Sequence, residues 1–189
     1  YPLFGDAGTA TAVEYAPGAD PMMFNFGTDG KGYEAIIIPD GGFRNFFGEK
    51  SLVAEEIEPG IRRNRLQSIL NGPAVFTFAI TKAPKSVNAL LEYFNIEKES
   101  IDFFIFHQAN LFMNEKIRTK LKIDKEKTPY CLREFGNTSS ASIPLTIVDL
   151  GASSLKNKKL LACAFGVGLS WASVVFESGP VHISSLIEI

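Results

Sequence analysis

Apolar positions along this chain switch between two spacings, and the switches divide it into elements. From Asn71 onward, Val75, Phe78, Ala79, Val87, Leu90, Leu91 and Phe94 recur at roughly the spacing of one helix face. Asn71-Gly72-Pro73 marks the start of that helix, because a proline in the first turn gives up no hydrogen bond. Pro84 is expected to kink the helix or split it. Ile101 to Phe106 is apolar almost without a break, the pattern of a strand covered on both faces. The chain then turns at His107-Gln108-Ala109-Asn110 into a helix expected to reach about Leu121. Gly136-Asn137-Thr138 opens another, running to about Leu150. Leu160 to Phe176 carries no charge, but it is shorter than the roughly 20 residues of a membrane helix. Gly166 and Gly168 interrupt it, so it reads as two buried strands joined by a tight turn.

The rest of the chain is less periodic. Gly5 to Val13 reads as a turn feeding a small-residue strand. Pro17 to Gly32 reads as a long loop with a short strand near Phe24-Asn25-Phe26. Ala35 to Ile38 is stopped by Pro39-Asp40-Gly41-Gly42. Ser51 to Leu70 is charged and helix-compatible, with a break at Pro59-Gly60, and Tyr130-Cys131-Leu132 reads as a short strand or extended piece. Tyr1 to Asp6 looks like the middle of a strand entering a turn, which suggests a piece of a longer polypeptide. Strands alternating with helices in this order point to a layered α/β arrangement.

Composition removes several function classes. Nineteen Lys and Arg against 21 Asp and Glu in 189 residues leave no global basic field to hold nucleic acid. Cys131 and Cys163 have no CxxC spacing and no nearby His pair, so the sequence suggests neither a metal site nor a disulfide framework. Two free thiols fit a reducing, cytoplasmic compartment. Both sit in apolar or featureless contexts and read as small hydrophobes rather than nucleophiles. Gly5-Asp6-Ala7-Gly8 is too short for a phosphate-binding loop.

Three places remain that could carry chemistry. His107 stands where an apolar strand ends and a helix begins, the edge at which sites collect in open α/β sheets. Asn137 lies in a run of small polar residues at a helix start. It is read either as a cap or as an amide N–H₂ aimed at an oxygen that gains charge. Gly166-Val167-Gly168 is read as a hairpin turn or as main chain exposed to a substrate carbonyl. The run Lys116, Arg118, Lys120, Lys122, Lys125 and Lys127 is read as a solvated face, with docking of an acidic partner as the lesser option.

Four stretches, in this order, resemble the 3-oxoacyl-[acyl-carrier-protein] synthase III type of condensing enzyme. They are Leu3 to Ala10, Phe106 to Asn110, Phe135 to Pro144 and Ala164 to Trp171, with His107 and Asn137 30 positions apart. The resemblance implies an α/β, thiolase-like layered α-β-α half: a mixed five-stranded sheet with helices on both faces. Residues 1–15 would be the last strand of an N-terminal half and 16–189 the C-terminal thiolase-like domain. It also implies an acyltransferase of fatty acid biosynthesis, homodimeric, without cofactor, taking acyl-CoA and malonyl-acyl carrier protein as substrates. The family's nucleophilic cysteine belongs to the other half, so this piece alone is expected to be inactive.

By resemblance, His107 and Asn137 donate to the malonyl thioester oxygen and the main chain of Gly168 serves the acyl-enzyme oxyanion. Gln108, Ala109, Asn110, Leu111 and Phe112 match the carrier-protein contact segment. Phe112 stands where a basic residue is usual and Ala172 where glycine is usual. Related thiolase-fold synthases of polyketide or surface-lipid assembly, and a non-catalytic thiolase-like partner subunit, are the alternatives.

Overall fold

A computed structural model describes residues 3–187. In chain order the elements are β1 (Met23–Thr28), β2 (Ile36–Ile37), β3 (Glu55–Glu58), β4 (Ile61–Arg63), β5 (Ile69–Leu70), α1 (Gly72–Tyr93), β6 (Phe103–Phe106), α2 (Leu111–Leu121), α3 (Leu132–Phe135), α4 (Ser142–Leu155), β7 (Lys158–Gly166) and β8 (Ser170–Ser178). The chain divides into two compact units. One comprises Tyr1–Gly27, Phe78–Phe165 and Trp171–Ile189, and the other Thr28–Thr77 and Gly166–Ser170. Tyr1 and Pro2, the opening of the expected first strand, lie outside the described residues. The described part of that stretch contributes a single parallel bridge, Phe4 to Asn137.

The first unit is built on a mixed sheet in the order β1-β8-β7-β6. β6 and β7 run parallel, with Phe103 opposite Leu160 and Phe106 opposite Cys163. A three-residue link joins β7 to β8, too short for a parallel crossover, so that pair is antiparallel. The sheet has four strands among the described residues, one fewer than the resemblance implies; the small-residue stretch from Gly5 to Val13 forms no strand. Phe104, Ile105 and Phe106 are all buried in succession, so β6 is covered on both faces, as its unbroken apolar run requires. α1 buries Phe78, Ala79, Ala83, Val87, Leu90 and Leu91 along one stripe.

Pro84 neither splits α1 nor shortens it; the helix runs for 22 residues with Pro84 buried inside. A proline there leaves the carbonyl of Ile80 without its helical donor. Lys120, from α2, supplies the missing bond: its Nζ donates to the Ile80 oxygen at 3.0 Å. Its neighbours in the basic run do similar work. Lys127 donates to the carbonyls of Glu99 and Ile101, and Arg118 to that of Ile123 and to Glu115. These cations brace main chain as well as facing solvent.

In the second unit the expected helix across Ser51 to Leu70 is replaced by a β3–β4 hairpin. Pro59-Gly60 is its turn, with Gly60 at φ +78°, and the charges pair across it: Glu55 opposite Arg63, Glu56 opposite Arg62. β2 pairs with β5, and Arg65 holds Asp40 at 2.9 Å. Tyr130-Cys131-Leu132 leads into the short helix α3 rather than forming a strand. Among the described residues no helix is long and apolar enough to cross a membrane.

Replacing Lys120 with Met is expected to cost about 1 kcal/mol, the net worth of an ordinary hydrogen bond. In a Pro84→Ala background, where the Ile80 carbonyl regains its helical donor, that cost should vanish. Urea denaturation of the two single variants and the double variant measures the difference.

Candidate active site

The end of β6 fixes His107 by its main chain first. Its N–H extends the β6–β7 ladder, donating to the Cys163 carbonyl at 2.9 Å. Its carbonyl accepts from Ala109 N–H at 3.0 Å and from the Asn114 side-chain amide at 3.1 Å. Phe106, just before it, is bonded by the Gln108 side chain, whose Nε2 donates to the Phe106 carbonyl at 2.8 Å. The Gln108 Oε1 accepts from the main chain of Cys131 at 3.3 Å. Asn110 caps α2, its side-chain oxygen accepting from Met113 N–H.

The imidazole lies edge-on to Phe165, with ring centres 5.4 Å apart. Nδ1 is 2.8 Å from the Ser142 hydroxyl. Burial pushes the ring down to about 4 from an ordinary 6.5, outweighing a hydrogen bond with the main chain of Ser139 that favours the proton. His107 is therefore neutral at pH 7, with one nitrogen to donate and one to accept.

Asn137 is held with equal definition. Its N–H donates to the Leu3 carbonyl at 2.9 Å and its carbonyl accepts from Gly5 N–H at 3.1 Å. The side-chain oxygen accepts from Ser139 N–H at 2.9 Å, an Asx turn closed around a Ser139 at φ +54°. Pinning the oxygen also pins the amide nitrogen, because the two share one planar carbon. Among the described residues nothing bonds that nitrogen. The cap reading and the donor reading of Asn137 are thus both accommodated: oxygen inward to its own turn, N–H₂ free to donate.

One turn serves both residues. Ser139 and Ser142, which touch the His107 ring, belong to the segment that starts at Asn137. Cys131 Sγ lies 3.2 Å from Thr146 Oγ1, and Thr146 donates to the Ser142 carbonyl at 2.8 Å. With the bonds through Gln108, this closes a buried circuit joining the end of β6, the start of α3 and the start of α4.

Gly5 and Gly136 permit the close approach beneath Asn137. A Cβ on Gly5 would lie 2.0 Å from the Phe135 carbonyl oxygen, and Gly136 sits at φ +64° facing the Leu3 carbonyl. Leu3 to Ala10 and Phe135 to Pro144 were legible as stretches of the resemblance, but the main-chain tether between them and the contact of Ser142 with the His107 ring were not.

Gly168 belongs to the second unit, in the β7–β8 turn at φ +139°, where a Cβ would meet the Ser170 side chain. In the carrier-contact segment, Gln108 and Ala109 are buried and Asn110 is occupied as a cap, so those three side chains are not a docking surface. Leu111 and Phe112 are exposed, and the ammonium of Lys116 lies 5.4 Å from the Phe112 ring centre. Both cysteines are free and buried, with burial driving the Cys131 thiol up and the Cys163 thiol up to about 12. Neither is an activated nucleophile. Among the described residues no cluster of three or more His, Cys, Asp and Glu could hold a metal.

Residues 91–178 match the family "3-Oxoacyl-[acyl-carrier-protein (ACP)] synthase III C terminal". Those residues carry the C-terminal domain of that family, and the chain as a whole is similar to its members. It is 38% identical to a β-ketoacyl-[acyl-carrier-protein] synthase III of Streptococcus agalactiae over 179 residues, covering 93% of this chain and 52% of the relative. It is 30% identical to a putative 3-oxoacyl-[acyl-carrier-protein] synthase 3 of Campylobacter jejuni, covering 98% of this chain and 52% of that one. A crystal structure of a 3-oxoacyl-(acyl-carrier-protein) synthase III superposes with a TM-score of 0.79 at 33% identity, over 88% of this chain and 50% of the other. The thiolase-like α/β class is thereby established for this synthase III domain. The chain spans about half the length of the curated relatives it matches.

Two outcomes test the geometry. Between pH 6.5 and about 4 the unfolded chain takes up a proton that the buried His107 refuses, so stability should fall as pH drops through that window. The loss is at most ~3 kcal/mol, and His107→Gln should remove that part of the pH dependence in urea melts at pH 7 and pH 4.5. Gly5→Ala should cost about 1–3 kcal/mol, because the added methyl meets fixed main chain rather than a movable side chain; chemical denaturation measures it.

Proposed function

We propose that this chain is the C-terminal part of a decarboxylating Claisen-condensing acyltransferase that joins an acyl-CoA primer to malonyl-acyl carrier protein. In this reading the other half supplies a cysteine, which is acylated by the primer with release of coenzyme A. The malonyl thioester then loses CO₂. The electron pair of the broken C–C bond passes into an enolate, and the thioester oxygen takes the negative charge. The carbon attacks the acyl-cysteine carbonyl, and collapse of that intermediate expels the thiolate.

His107 and Asn137 are the residues assigned to the enolate oxygen. The observation that carries the reading is the pair of neutral donors they offer: an imidazole kept uncharged by burial, and a carboxamide whose oxygen is tied back so that its N–H₂ faces outward. Donors fixed in advance in a low-dielectric site stabilise developing charge without reorganising at the moment of reaction. A neutral ring also avoids holding the malonyl carboxylate by an ion pair, which would oppose its loss as CO₂. In this reading the main-chain N–H of Gly168 serves the acyl-cysteine oxyanion. Leu111 and Phe112 are the part of the carrier-contact segment left for docking. A cytoplasmic homodimer completes the reading.

In the natural polypeptide carrying this chain, His107→Ala and Asn137→Ala should each lower malonyl-thioester decarboxylation by about 10²–10³-fold. Acylation of the nucleophilic cysteine, followed by intact mass, should persist. Decarboxylation at near wild-type rate in His107→Ala would remove the assignment.

A further inference from the structure

We propose that Asn114 is a positioning residue for His107, acting through the peptide plane between His107 and Gln108; the inference rests on the condensing reading above. Asn114 lies in the first turn of α2, its N–H bonded to the Asn110 carbonyl at 3.0 Å. It is fully buried, an uncommon place for asparagine. The side chain reaches back out of its helix, and Nδ2 donates to the His107 carbonyl at 3.1 Å. Its Oδ1 has no hydrogen-bond partner among the described residues. A leucine, of similar branched shape, would fill the site and leave no polar atom unpaired. The bond to His107 is therefore what the amide contributes there.

The His107 carbonyl and the Gln108 N–H are opposite edges of one planar trans peptide. Asn114 holds the carbonyl edge. Ser142 Oγ holds the N–H edge at 3.3 Å, and the same Oγ lies 2.8 Å from Nδ1 of the His107 ring. Turning the plane about the line joining its two Cα atoms would draw the carbonyl from Asn114 and the N–H from Ser142 together. The hydroxyl that meets the ring would lose its second anchor. This coupling is the same whichever atom donates between Ser142 and the ring. The carbonyl's other bond, from Ala109 N–H at 3.0 Å, closes a three-residue turn and moves with that turn. Asn114 is the donor that reaches the carbonyl from outside it. Its role is to stop the plane from turning, so that the imidazole keeps one aim.

In the natural polypeptide, Asn114→Leu should lower kcat for malonyl-thioester decarboxylation by about 10- to 100-fold, the scale of a small misplacement of a reacting group. KM and acylation of the nucleophilic cysteine should stay close to wild type. A double-mutant cycle with Ser142→Ala tests the coupling: the two losses should overlap, leaving the double variant little slower than the slower single one. Losses that multiply overturn the proposal. So does an Asn114→Leu protein with unchanged kcat, or one that loses cysteine acylation to the same extent as decarboxylation. Hydrogen exchange needs no activity. The Gln108 amide should exchange slowly in the wild type and about 10-fold faster in Asn114→Leu. Rapid exchange of Gln108 in the wild type overturns the proposal even if no Asn114 variant folds, and so does an unchanged rate in the folded variant. If His107→Ala itself retains decarboxylation, the condensing reading fails instead, and the exchange rates alone decide whether Asn114 holds the plane.

Discussion

The candidate site depends on one constraint: the main chain of His107 is bonded on both sides before its ring does anything. The last ladder bond of the sheet holds its N–H, and its carbonyl is held by Ala109 in the turn that follows and by Asn114 in the first turn of the next helix. With that backbone fixed, the side chain has little choice of direction. Burial against Phe165 then removes water from the ring and leaves it neutral. A histidine on a loose loop could neither keep so low a proton affinity nor keep a fixed aim.

Asn137 reaches a comparable precision by a different route. Its turn is clamped between an early segment of the chain, at Leu3 and Gly5, and the start of α4. The clamp works only because two glycines let main chain approach main chain. Ser139 accepts a left-handed conformation, and the carboxamide oxygen closes the turn around it. Two residues 30 positions apart are thereby tied to a single short segment, and a buried circuit through Gln108, Cys131, Thr146 and Ser142 stiffens it. Networks of this kind are costly when half satisfied, which is why each member here has its partner within the same circuit.

Pro84 and the basic run show how local rules yield to their surroundings. A proline inside a helix is disruptive because it orphans a carbonyl, and here a lysine from another helix reaches that carbonyl. Read alone, Lys120 is one charge in a solvated face and Pro84 a break in a helix. Side by side, the proline does not split the helix, and the lysine braces main chain while still facing solvent.

Much of this protein was legible in its residues. The unbroken run ending at Phe106 required a covered strand, the spacing from Val75 to Phe94 required a helix, and the glycines near Gly168 required a turn, because side-chain periodicity and backbone freedom are local properties. The resemblance carried by four short stretches located His107 and Asn137 on the same grounds of residue type and order. The Ser51 to Leu70 segment escaped, since its charges suit a helix face and a hairpin's cross-strand pairs equally well. What only the tertiary structure decided is which way each polar group points: the Asn137 oxygen into its own turn, the Ser142 hydroxyl across to a ring 35 positions earlier, the Gln108 amide into the core. Hydrogen-bond direction depends on partners brought together from distant positions, and a linear pattern holds no record of it.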